Sequence, residues 1–168
     1  RKINMFVKSL RLIKSKYHKN RPSKIQNFMD MAVVISQRSH DEETKVGALL
    51  INNESSAILA TGYNGFVRGA NDKKLPTKRP KKYEYMLHAE QNLISNCAKH
   101  GISMQNSKLI CTLSPCKLCM RMLFNCGITE VIVKELYKDF NDILQMKDIK
   151  VECKKSPEDG FYRIRYSV

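Results

Sequence analysis

KLICTLSPCKLCMRMLFNCGITEVIV, residues 108–133, reads as three elements in succession. KLICTL (108–113) is an apolar run of strand length, and ITEVIV (128–133) is a second one, rich in β-branched side chains. Between them, SPCKLCMRMLFNCG predicts a helix with Pro115 in its first turn and Gly127 as its stop. Strand, helix and strand in close succession form the repeating unit of an α/β fold.

The pattern extends to both sides. Upstream, HAEQNLISNCAKHG predicts a helix closed by Gly101, with Leu93, Ile94 and Cys97 turned inward. KVGALLI (45–51) and AILATGY (57–63) are strand-like runs joined by the turn-forming NNESS, which makes a hairpin. Ser23 is placed to N-cap a helix through IQNFMDMAVVISQRS, whose Ile25, Phe28, Met29, Ala32 and Val33 share one face. Downstream, a short helical stretch near FNDILQM leads to a fifth strand at IKVEC, and RIRYSV is a candidate for one more. The order α-β-β-α-β-α-β-α-β predicts a mixed, about five-stranded sheet with helices on both faces. Neither a repeat nor a linker divides the chain after residue 23, so we expect a basic N-terminal extension (1–23) and one domain (24–168).

Charge is the outlying property. Against 16 acidic residues the 168-residue chain carries 30 Lys and Arg, for a net charge of +14. Residues 1–24 hold nine of the cations and no acid. Such an arm reads as a solvated or partner-docked extension, or as a contact for an anionic surface such as nucleic acid. Only Phe6 and Tyr17 in it offer a ring for stacking on bases. No apolar run is long enough for a transmembrane helix, and cations interrupt the first residues too often for a secretory signal. The expectation is a cytoplasmic protein with no membrane partner. Disulfides are then a poor reading of the six cysteines, and Cys97, Cys111, Cys126 and Cys153 are expected in or near the core.

Two short patterns carry chemistry: His88-Ala89-Glu90 and Pro115-Cys116-Lys117-Leu118-Cys119. Cys116 and Cys119 are one helical turn apart, at a helix start whose partial positive charge favours thiolates. One imidazole and two thiolates suit Zn2+, and three protein donors leave a fourth position for water. A structural site is normally closed by four protein donors, so the open position points to catalysis. Glu90, two residues after His88, can reach such a water without being a ligand, and can take its proton. Each pattern alone is weak. Together, each opening a helix, they have the H-x-E…P-C-x-x-C form of zinc nucleobase deaminases.

With these residues in place, the chain resembles the cytidine deaminase-like superfamily, and most closely its deoxycytidylate (dCMP) deaminases. The likeness covers roughly 24–153, through TKVGALL, TGYNGF, RGAND, KYEYMLHAEQNLI, LSPCKLC and ELYKD. It implies a three-layer α-β-α sandwich and hydrolytic deamination of dCMP to dUMP with release of ammonia. His88, Cys116 and Cys119 would hold the zinc, with Glu90 as proton shuttle. Asn64 would contact the sugar, Tyr137 would stack on the pyrimidine, and the backbone at Ala89 and Ser114 would bond the base edge. The resemblance also implies a homo-oligomer, with dCTP as activator and dTTP as inhibitor.

Other readings stand beside these. Asn64 next to Gly65 is also a strong turn signal, and Tyr137 reads equally as a packed core aromatic. The cations of 73–82 form either a solvated face or a collector of phosphates. The same chemistry could act on a base in single-stranded nucleic acid or tRNA. A zinc-stabilised binding module without activity is the remaining alternative.

Overall fold

The computed structural model describes residues 21–167, so the predicted N-terminal arm up to residue 20 lies outside the described residues. Helix α1 spans Lys24–Ser36, and Ser23 caps it as expected, its hydroxyl accepting the Gln26 N–H at 3.1 Å. Strands β1 (Gly47–Asn52) and β2 (Ile58–Tyr63) form the predicted hairpin. Helix α2 (Ala89–His100) ends at Gly101, whose left-handed φ of 64° is unstrained only without a Cβ. Then come β3 (Ser107–Leu113), α3 (Lys117–Asn125), β4 (Glu130–Glu135), the one-turn α4 (Asn141–Leu144), β5 (Lys150–Lys155) and β6 (Tyr162–Ser167). Pro115 precedes the cap of α3 rather than sitting in its first turn, since Cys116 is the N-cap.

The sheet has six strands in the order β2-β1-β3-β4-β6-β5, which corrects the five-stranded expectation. Only β3 and β4 are parallel; the other neighbours run antiparallel. The last strand lies inside the sheet because its Ile164 and Tyr166 are apolar enough to be buried there. Strand β5, KVECKK, has no buried residue and takes the edge, where its lysines discourage further pairing.

Alternation along the inner strands builds two cores. Ala48 and Leu50 of β1 face Leu93, Met120, Leu123 and Ile143 from α2, α3 and α4. Leu49 and Ile51 face the other way, onto Phe28, Met29 and Ala32 of α1. The predicted three-layer α-β-α sandwich is therefore present, and among the described residues α1 is the helix on one side. Cys97 and Cys111 are buried as expected, and Cys126 and Cys153 are partly buried against the same core.

Gly62 positions the site. A Cβ there would lie 2.3 Å from the Ala89 carbonyl oxygen and 2.8 Å from the Leu93 Cβ. The bare backbone of β2 thus lets the first turn of α2 press against the sheet. Between these elements the chain makes a long excursion, closed at its base by a bridge between Gly65 and Leu87 (N···O 3.1 and 2.9 Å).

Candidate active site

His88 is the N-cap of α2, and Cys116 is the N-cap of α3. A sequence separation of 28 residues is thereby reduced to contact. His88 Nδ1 lies 3.6 Å from the Cys116 sulfur and 3.5 Å from the Cys119 sulfur. All three donor atoms fall within 4.8 Å of one another, and among the described residues this is the only such group of histidine, cysteine and carboxylate donors. Tetrahedral Zn–S and Zn–N bonds of about 2.3 and 2.0 Å place neighbouring donors roughly 3.5 Å apart. The observed spacing fits that geometry.

The thiols are poised for a metal. The neighbouring Cys119, with His88 assisting, holds the Cys116 thiol down to about 4 despite its burial. Cys119 is correspondingly pushed up, by the adjoining Cys116 and by its own burial. The backbone N–H of Cys119 donates to the Cys116 sulfur at 3.4 Å, the usual N-cap bond with sulfur in place of oxygen. The contact with Cys116 raises the His88 imidazole above its ordinary value, against its burial.

Glu90 is buried, 3% exposed, in the first turn of α2. Its burial pushes the carboxyl up to about 7. A carboxyl so placed is suited to exchanging protons near neutral pH.

These residues line one cavity of about 480 Å³. The structure brings seven of the eight expected site residues to it: Asn64, His88, Ala89, Glu90, Ser114, Cys116 and Tyr137 line the wall, and Cys119, fully buried, does not line it but keeps its sulfur within 4.8 Å of the other two donors. Ser114 is buried, donates its N–H to the Glu135 carbonyl at 3.0 Å and accepts the Tyr137 N–H on its hydroxyl at 2.8 Å. Of its backbone, only the carbonyl is left for a ligand. The Asn64 amide is buried and bonded on three sides: its Nδ2 donates to Asp41 at 3.1 Å and to the Thr44 carbonyl at 2.9 Å, and its Oδ1 accepts the Val46 N–H at 2.8 Å.

Arg79 and Lys82 of the 73–82 run also line the cavity, together with Asp41 and Thr44, which the sequence did not single out. They belong to two facing loops of opposite charge. Asp41, Glu42 and Glu43 meet Lys78, Arg79 and Lys82 across the gap. Glu42 also accepts from Thr77, and His40 meets Asp72 at 3.1 Å while stacking on Phe66. The juxtaposed acidic triplet and basic run were the available signal.

An α-β-α sandwich with an imidazole and two thiolates at two helix caps, and a buried carboxyl beside them, defines the zinc-dependent deaminase class. A family model described as "Cytidine and deoxycytidylate deaminase zinc-binding region" matches residues 22–135, and the chain belongs to this family. Its cofactor is Zn2+. The human deoxycytidylate deaminase is 35% identical over 122 residues, covering 68% of this chain and 67% of its own length. The mouse deoxycytidylate deaminase is 36% identical over 119 residues, covering 67% of this chain and 65% of its own. Among solved structures, the dCMP deaminase of cyanophage S-TIM5, in complex with dCMP and dUMP, is 33% identical with a TM-score of 0.61. That match covers 75% of this chain and 93% of the phage protein.

Proposed function

We propose that the chain is a zinc-dependent dCMP deaminase, converting dCMP and water to dUMP and ammonia. The observation that carries this reading is the open three-donor group with buried Glu90 beside it in one cavity. His88, Cys116 and Cys119 hold the metal. Bound there, Zn2+ supplies Lewis acidity and a water that ionises near neutral pH.

The residues of the chain do the rest. Glu90 takes the water proton as the oxygen adds to C4 of cytosine, and it delivers that proton to N3. It then takes the remaining proton from the added hydroxyl and passes it to the exocyclic amine, which leaves as ammonia as the C4 carbonyl forms, so that water and dCMP balance dUMP and ammonia. The Ala89 N–H heads α2 and has no acceptor within the helix, and the Ser114 carbonyl is unspent on the opposite wall. This donor and acceptor address the base edge. Tyr137 stacks on the ring, and Asn64 meets the sugar. The family resemblance adds a homo-oligomer, with dCTP and dTTP as effectors, to the proposal. Sedimentation and dCMP titrations with each triphosphate check these points.

The mononucleotide reading is favoured over a polynucleotide one by the paired charges of the cavity wall. Lys78, Arg79 and Lys82 are each matched by a carboxylate, which weakens these three of the run's six cations as collectors of backbone phosphates. Glu90→Gln is expected to lower ammonia release from dCMP by at least about a hundredfold while one zinc per chain is retained. Comparable turnover by the zinc-loaded variant would overturn the mechanism.

A further inference from the structure

Among the described residues, Lys82 is the only lysine or arginine in the buried set, at 3% exposure. The mechanism above leaves it without a task. Its ammonium donates to both oxygens of Asp41, at 2.8 and 2.7 Å, and approaches Glu43 at 3.1 Å. Its three N–H groups are therefore all taken, and it has none to offer a substrate. Asp41 is just as fully engaged. It accepts the backbone N–H groups of Glu43 at 2.8 Å and Thr44 at 2.9 Å, and the Asn64 amide at 3.1 Å.

The consequence falls on Asn64. A side-chain amide can turn over, exchanging its oxygen and nitrogen, unless its neighbours forbid it. Here the Asp41 carboxylate, held ionised by Lys82, requires an N–H on one side. The Thr44 carbonyl requires the second N–H, and the Val46 N–H requires the oxygen. One arrangement satisfies all three. It leaves Asn64 a single unspent capacity, the second lone pair of Oδ1, on a residue that lines the cavity. A group that meets a lone pair must be a donor. The sugar of a deoxynucleotide monophosphate has one neutral donor, its 3′-hydroxyl.

We propose that the Asp41–Lys82 pair is a positioning device: through the Asp41 bonds to the Glu43 and Thr44 N–H groups it holds the loop whose Thr44 carbonyl, with the Val46 N–H, orients Asn64, and so makes the site selective for a sugar that presents a hydroxyl donor. This rests on the deoxynucleotide reading above. Neither residue touches the substrate; both act through Asn64. The pair also joins the loop after α1 to the excursion before α2, so a purely structural role is the rival account, and the two differ in what they do to substrate choice.

The test compares kcat/KM for dCMP and for 2′,3′-dideoxycytidine 5′-monophosphate, which lacks only the 3′-hydroxyl. The zinc-loaded wild-type protein is expected to prefer dCMP by at least about tenfold, the value of one hydrogen bond to a buried acceptor. In Lys82→Met, and in the double variant Asp41→Asn/Lys82→Met that leaves no unmatched buried charge, the preference is expected to shrink to within about threefold. The loss should fall on KM for dCMP more than on kcat. Glu42→Gln, which loosens only the outer contacts to Thr77 and Lys78, should keep the wild-type preference. A zinc-loaded double variant with the full preference would overturn the proposal, as would a wild-type protein with none. A wild-type protein that releases no ammonia from dCMP would instead remove the reading on which the proposal stands.

Discussion

Glu90 carries opposite demands in the metal-free and the loaded protein. Burial raises its carboxyl from 4.5 to about 7, so in the metal-free fold it keeps a proton that the unfolded chain has released across that interval. Native protein then binds more protons than unfolded, and stability falls as pH rises from about 4.5 through 7. Glutamine has no charge to bury. Metal-free Glu90→Gln should therefore be more stable than wild type at pH 8, by an amount on the order of 3 kcal/mol, and the two should converge below pH 4.5. Urea unfolding at both pH values checks this; equal stabilities at pH 8 would show that Glu90 is hydrated rather than buried. The residues at this scale were unequally legible. His88 with Glu90, and Cys116 with Cys119, are local patterns whose spacing reports shared helix ends. Lys82 with Asp41 and Arg79 with Glu43 pair across 41 and 36 positions, and no local spacing records such a contact.

At the scale of elements, the site is made by two helix starts pressed toward one sheet. The tight contact at Gly62 brings α2 in, so Gly62→Ala must move either β2 or the turn that carries His88. A loss of about 1–3 kcal/mol is expected, as for other overpacked cores, together with weaker zinc binding in a chelator competition. Unchanged zinc affinity would mean that the turn accommodates the methyl without displacing His88. Ser23→Ala removes the cap of α1 on the far face and should cost about 1 kcal/mol with zinc affinity unaltered, which separates fold stability from site geometry. Periodicity was enough to place α1, α2, α3 and the first four strands. It did not order the last two, because short strands of mixed polarity carry no sign of which neighbour they pair with. Burial decides it: Ile164 of β6 fits between β4 and β5, and the lysines of β5 do not fit inside a sheet.

Across the whole molecule, charge separates into a paired part and a remainder. The acidic triplet 41–43 matches Lys78, Arg79 and Lys82, so these three serve as a fastened wall, while Lys73, Lys74 and Lys81 of the same run have no ion pair among the described residues. The cations before residue 20 lie outside the described residues. No helix of the described residues is long and apolar enough to cross a membrane. Removing zinc should lower thermal stability as well as abolish turnover, because the ion joins the starts of two helices and binds only the folded arrangement. Melting curves with and without chelator report this directly. The central claim is that this cavity deaminates a free deoxynucleotide, and ammonia release from the zinc-loaded protein tests it most directly. dCMP, dCTP, cytidine and a cytosine-containing single strand would be offered side by side. The account predicts turnover of dCMP well above the other three. Turnover of the single strand with none of dCMP would contradict it.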